Sequence, residues 1–229
     1  GTGELSDSLT FEHFFSIAAE LVHYFSYKPN AIIELKTKSV NIDNVLGITH
    51  NRRTVISWSV NAADIWKTEE SQTPSMAERL LAAAEVQKAG YRLGFHFDPM
   101  IAHDNWQQGY REVVDAIFRI IRPENIAWIS LGALRYPAGL DDVIRQNHPA
   151  SEIILGELLP GMDNKLRYFM PIRVEMFKNM YRWIRGYSGD VFVYLCMEHD
   201  EVWRKSFGWS PGSSAQLKRL LDERVMKKR

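Results

Sequence analysis

Residues 54–60, TVISWSV, and 91–97, YRLGFHF, decide the fold. Each is a short run rich in β-branched and aromatic residues, which reads as a β-strand. Successive strand side chains point to opposite faces, so residues two apart share one. In the first run Ser57 and Ser59, with Asn61 beyond, share a face opposite Ile56, Trp58 and Val60. In the second, His96 and Asp98 oppose Phe95 and Phe97. Runs at 31–37 (AIIELKT), 126–132 (IAWISLG) and 190–196 (DVFVYLC) also read as strands. Glu34, Lys36 and Lys38 share a face opposite Ile33 and Leu35; Tyr194, Cys196 and Glu198 share one opposite Val193, Leu195 and Met197. An open doubly wound sheet is covered by helices on both sides, so its strands are apolar on both faces. A barrel carries helices on one side only, and its inner face is polar towards the rim where ligands bind. The one-sided polarity therefore predicts a barrel or partial barrel with a site at the strand ends.

Segments of helical period lie between the strands. Phe11, Phe14, Phe15, Ala18, Leu21, Val22 and Phe25 recur at i, i+3, i+4 and i+7, one face of a single helix. Thr73-Pro74 opens the next helix as N-cap and first-turn proline, and Gly90 closes it. Asp104 caps a helix bearing Trp106, Tyr110, Val113, Val114, Ile117 and Phe118, stopped by Pro123. Two further helices are expected near 170–186 and 213–227, and 133–170 is the least regular stretch. Alternating strands and helices imply parallel strands joined by crossovers, an α/β fold. The expected architecture is a single α/β domain over 1–229, a partial (β/α) barrel of about five mostly parallel strands with outer helices.

The 229 residues suit one domain, and 45% hydrophobic with 24% charged residues is the ordinary globular balance. Lys plus Arg equals Asp plus Glu at 28 each, so bulk charge does not hold the chain to nucleic acid. A DNA partner needs a local basic patch. Cys196 is the single cysteine and cannot form an internal disulfide. No apolar run approaches the ~18–20 residues that cross a bilayer, and no signal segment opens the chain. A cytoplasmic protein without a membrane partner is the expectation.

Six ordered motifs carry a resemblance. GTGELSDSL at 1–9, ELKTKS at 34–39, SWSVNA at 57–62, AGYRLGFHFDP at 89–99, SLGALRYP at 130–137 and YLCME at 194–198 resemble the spore photoproduct lyase family. These are radical S-adenosylmethionine proteins of DNA repair, and the likeness runs from residue 1 to about residue 207. It implies a partial barrel of the radical S-adenosylmethionine type, about 1–135, followed by a family-specific region, about 136–229. It also implies a [4Fe–4S] cluster held by a CxxxCxxC loop, whose open iron binds S-adenosylmethionine for reductive cleavage to a hydrogen-abstracting radical. Soft thiolates suit such a cluster. On this resemblance Gly3 and Glu4 meet the cofactor's amino group, Lys38 pairs with its carboxylate, and Ser59 lies beside that carboxylate. Asn61 falls near the ribose, and His96 and Asp98 line the same cavity. Arg135, as a bidentate phosphate donor, and the cluster Lys165, Arg167, Tyr168 and Arg173 are the candidate DNA contacts.

The match departs from the family in two places. The chain has one cysteine and no CxxxCxxC, and it opens Gly1-Thr2-Gly3-Glu4 without a methionine. The resemblance thus implies a piece of a longer parent lacking its first two strands and cluster loop, with no cluster and no radical chemistry of its own. The cysteine that returns a hydrogen atom to the product in the lyase proper is replaced by Gly1, which puts the lesion-lyase activity in question. Loss of two strands leaves the edge of 31–37 unpaired, which predicts a homodimer along it or cover by the 10–26 helix. Two other classes remain open. A metal-dependent hydrolase would use His96, Asp98, His103, Asp104, Glu198, His199 and Asp200. A nucleotide- or DNA-binding module would bind without chemistry.

Overall fold

The computed structural model describes residues 1–2 and 6–226. In chain order its elements are α1 (Glu12–Phe15), α2 (Ile17–Ser26), β1 (Ile33–Thr37), α3 (Asp43–Leu46), β2 (Thr54–Ser59), α4 (Ala63–Glu69), α5 (Met76–Lys88), β3 (Arg92–Met100) and α6 (Trp106–Ile120). There follow β4 (Ile126–Ala133), β5 (Arg135–Pro137), α7 (Leu140–Asn147), β6 (Leu158–Pro160), β7 (Lys165–Tyr168), α8 (Met170–Tyr187), β8 (Val193–Leu195), α9 (Asp200–Phe207) and α10 (Ser214–Met226).

Five strands form one parallel sheet in the order β1-β2-β3-β4-β8. The order never reverses. Right-handed crossovers that all advance in one direction place their helices on one face. A doubly wound sheet would show a switch point. The sheet is thus an open partial barrel, as its polar faces predict. Leu35, Ile56, Trp58, Phe95, Phe97, Ile129, Leu131 and Val193 project to the convex side and pack with Ala83, Val86, Val114, Ile117, Met176 and Met180 of the outer helices. Truncating a fully buried member of this layer costs about 2–5 kcal/mol. The strand register carries Lys36, Ser57, Gly94 and Trp128 across the concave face, and next to them Ser59, His96, Ser130 and Tyr194. Towards the starts of the strands, Leu217, Leu220, Leu221 and Val225 of α10 pack with Val55, Trp128 and Phe192.

Four sequence expectations change. The 11–25 stripe is two helices: Ser16 takes a left-handed φ of 49°, and the Glu12 carboxylate accepts from the N–H groups of Ala18 (2.7 Å) and Ala19 (2.9 Å). That carboxylate caps α2 and breaks the continuous face, leaving Phe11, Phe14 and Phe15 63–69% exposed while Ala18 and Val22 are buried. The cap of α5 is Ser75, not Thr73, because Ser75 and Glu78 form a reciprocal capping box. Asn105, in the left-handed region, precedes α6 in place of Asp104. The irregular stretch contains a second, antiparallel sheet in the order β5-β7-β6. Gly90 does follow α5 with a φ of 88°.

Among the described residues β1 has one strand neighbour, β2. Its other edge meets the N-terminal segment, where the Ser8 N–H donates to the Lys36 carbonyl at 2.9 Å. Asp7 fastens that segment, accepting from Thr37 Oγ1 and the Lys38 N–H, both at 2.7 Å. No helix among the described residues is long and apolar enough to cross a membrane.

Candidate functional site

The strand ends gather three groups of polar side chains. At the rim, Lys38 follows β1 and Asn61 lies two residues beyond β2. Glu70, just after α4, joins them: its Oε1 is 3.2 Å from Lys38 Nζ and accepts from Asn61 Nδ2 at 3.3 Å. Arg79 of α5 meets Glu70 Oε2 at 3.2 Å, and its Nη1 donates to the Ser59 carbonyl at 2.8 Å. Glu70 and Arg79, which were not singled out on sequence, thus link Lys38, the Asn61 side chain and the Ser59 backbone carbonyl. A signal for Arg79 existed. It shares the buried helical face of Ala83 and Val86, so its guanidinium needs internal acceptors.

Asn61 changes role. It is 3% exposed, and its Oδ1 accepts from Tyr110 Oη (2.8 Å) and the Ala62 N–H (3.1 Å). Its amide is spent inside the protein, because two-residue alternation stops with β2 at Ser59. Ser59 is half-buried, and its hydroxyl makes no hydrogen bond among the described residues.

The second group lies deeper on the concave face. Glu34 Oε1 accepts from Ser57 Oγ at 2.7 Å, His96 Nε2 at 2.7 Å and Trp128 Nε1 at 3.1 Å. These donors come from three different strands, so the side chains converge as a concave sheet requires. Gly94 makes this possible: a Cβ there would stand 2.8 Å from both Ser57 Cβ and Trp128 Nε1. Burial raises the Glu34 pKa, but the hydrogen bond and charge of His96, with the bonds from Ser57 and Trp128, outweigh it and bring it to about 2. His96 thus pairs with Glu34 and not with Asp98, its neighbour two residues along β3.

The third group lines the far wall. Asp98 packs against Gly132, where any Cβ would collide with its carboxylate. It lies 4.0 Å from Arg135 Nη2. Arg135 Nη1 donates to the Cys196 carbonyl at 3.2 Å, and Nη2 meets Cys196 Sγ at 3.4 Å. Burial, then Asp98, pushes the Cys196 thiol up to about 11, so it stays protonated at neutral pH.

The proposed basic cluster divides. In the register of β5 and β7, Arg135 faces Arg167 and Pro137 faces Lys165, which puts Arg135, Lys165 and Arg167 on one face of the small sheet. Tyr168 turns the other way, is buried, and its hydroxyl accepts from the Ala102 N–H at 3.1 Å. Arg167 pairs with Asp163, and buried Arg173 pairs with Glu198. Tyr168 and Arg173 are therefore core residues, removed from any DNA-facing patch by strand alternation and by a buried ion pair.

The residues fit some cofactors and not others. The Lys38 ammonium and the uncommitted Ser59 hydroxyl suit a carboxylate, and half-buried Asp98 suits N–H or O–H donors. An iron–sulfur cluster does not fit this chain, whose single cysteine supplies one thiolate where such a cluster takes several. Among the described residues no three His, Cys, Asp or Glu side chains group to hold a metal ion, so the hydrolase ligand set is not assembled. Gly3 and Glu4 lie outside the described residues. A cleft of about 630 Å³, lined by Asp64, Glu69, His103 and Glu152, lies beside the exit of β3 and apart from these groups.

Comparison with known proteins gives one consistent family. The family model for spore photoproduct lyase matches residues 2–165. Spore photoproduct lyase of Bacillus subtilis (strain 168) is 28% identical over 155 residues, covering 66% of this chain and 45% of that protein. The enzyme of Geobacillus sp. (strain Y412MC61) is 28% identical over 154 residues, with the same coverage. The chain thus spans about half the length of these relatives. A cysteine-to-alanine mutant of spore photoproduct lyase superposes with a TM-score of 0.77 at 25% identity, over 83% of this chain and 59% of that one. Another mutant, with AdoMet and dinucleoside spore photoproduct bound, has a TM-score of 0.75 at 23% identity, covering 85% and 60%.

Proposed function

Because the chain belongs to the spore photoproduct lyase family, we propose that it is part of a DNA-repair protein that binds S-adenosylmethionine on its concave face and acts on a DNA lesion by radical chemistry. The observation that carries the reading is the meeting of Lys38, through Glu70 and Arg79, with the end of β2 at one rim, where the Ser59 hydroxyl makes no hydrogen bond among the described residues. Lys38 holds the ligand carboxylate by a charge-assisted bond, and Ser59 donates a second. His96, fixed by Glu34, and Asp98, seated over Gly132, form the inner wall. Asn61 acts indirectly, by fixing the loop through Tyr110.

S-adenosylmethionine, when bound and reductively cleaved, supplies a radical that abstracts hydrogen. No step of that cleavage is assigned to this chain, whose single thiol cannot hold the cluster. What these residues do is bind and orient. Arg135, Lys165 and Arg167 share a face and meet DNA phosphates. Self-association along the β1 edge belongs to the same reading, tested by sedimentation velocity over a concentration series.

Calorimetric titration of S-adenosylmethionine into the chain tests the reading. Lys38→Ala should weaken binding about tenfold, the size of a lost charge-assisted hydrogen bond. Absence of heat with the unaltered chain, or equal affinity in Lys38→Ala, overturns it.

A further inference from the structure

Glu70 stands where two strand ends and two helices meet. One of its oxygens is 3.2 Å from Lys38 Nζ and the other 3.2 Å from Arg79 Nη2. Arg79 is itself immobile: it is almost wholly buried, and it donates to the Pro74 carbonyl at 2.9 Å and the Ser59 carbonyl at 2.8 Å. A planar guanidinium gripped by fixed acceptors fixes the carboxylate that meets it. Lys38, by contrast, has a long side chain that is 38% exposed and would otherwise sample many rotamers. We infer that Glu70, anchored by Arg79, is a positioning residue that holds the Lys38 ammonium at the rim beyond β1 and β2 as a receptor for a ligand carboxylate or other oxyanion.

The charge pattern supports this role. One carboxylate shared between two cations leaves neither fully neutralised. The neighbouring carboxylate, Asp7, does not take up the ammonium; it accepts from the N–H groups of Leu9, Thr10 and Lys38 and from Thr37 Oγ1. The inference rests on the anion-receiving reading of Lys38 given above. It makes a prediction opposite to that of a simple counter-ion. If Glu70 merely competed for Lys38, removing its charge would strengthen anion binding. If it positions Lys38, the same change weakens binding.

Trace acetylation of Lys38 with acetic anhydride, read by mass spectrometry on the whole chain, separates the two. Without ligand, Lys38 of Glu70→Gln should react several-fold faster than in the unaltered chain. Protection of Lys38 by S-adenosylmethionine should require about tenfold more ligand in Glu70→Gln, matching loss of one oriented charge-assisted contact. Glu70→Asp keeps the charge for Arg79 but withdraws it from Lys38, and should show the same loss even where Glu70→Gln fails to fold. Equal labelling rates, or tighter protection in the variants, overturn the inference. Sulfate serves as a second probe. Protection of the unaltered chain by sulfate but not by S-adenosylmethionine keeps the role of Glu70 and overturns the cofactor reading. Protection by neither overturns both.

Discussion

Glu34 shows how one side chain ties the concave face to solution conditions. Its pKa falls from the ordinary 4.5 to about 2 in the folded chain, so folding favours the carboxylate. A depressed carboxyl pKa adds stability that is complete above the unfolded value and disappears as pH drops through the folded one. Glu34 therefore supports the fold above about pH 5 and loses that support towards pH 2. The shift corresponds to at most about 3 kcal/mol. Urea unfolding at pH 6 and pH 3 should show Glu34→Gln losing less stability on acidification than the unaltered chain; equal losses would remove the linkage. Gly94 bears on the same group through space alone. Gly94→Ala drives a methyl into Ser57 and the Trp128 indole, each 2.8 Å from the new carbon. The cost of such overpacking is about 1–3 kcal/mol. Denaturation should register it, together with a changed tryptophan emission as Trp128 leaves Glu34.

Among the elements, local chemistry overrode apolar spacing in an informative way. The 11–25 stripe has the period of a single helix, yet Glu12 turns inward to cap α2 and Ser16 breaks the chain. Periodicity reports which residues could share a face, not whether a carboxylate will claim the next helix's N–H groups. Phe14→Ser should accordingly change stability by less than about 0.5 kcal/mol, since its ring is 69% exposed. Val22→Ala, in the buried layer, should cost about 1–3 kcal/mol. Near-equal effects in thermal melts of the two variants would contradict the two-helix account. At α5 the Ser75–Glu78 box is legible in the sequence as Ser-x-x-Glu, starting directly after the Thr73-Pro74 pair. Ser75→Ala should cost about 1 kcal/mol, and Thr73→Ala should leave the cap intact.

At the scale of the whole molecule, alternation of polar and apolar residues on four strands was enough to give a one-sided sheet with Lys36, Ser57, Ser59 and His96 on its polar face. It could not supply partners from distant parts of the chain. Glu70 and Arg79 at the rim, the Trp128–Glu34 bond across two intervening strands, and the burial of Tyr168 all depend on tertiary packing, which period-2 reasoning does not contain. The same limit hid the role of α10. An open parallel sheet with helices on its convex side leaves the starts of its strands bare on the concave side, and burying apolar surface there requires another element. The C-terminal helix supplies it through Leu217, Leu220, Leu221 and Val225 over Val55, Trp128 and Phe192. Removing residues 214–229 should therefore expose this cluster and cost more than about 3 kcal/mol, at roughly 1.5 kcal/mol or more for each large apolar side chain returned to water. The expected signs are a lower melting temperature and new binding of a hydrophobic dye. Leu220→Asp should act in the same direction with smaller effect. A shortened chain that melts like the full one, with no dye binding, would mean that α10 is an appendage and that the lower end of the hollow is closed by other residues.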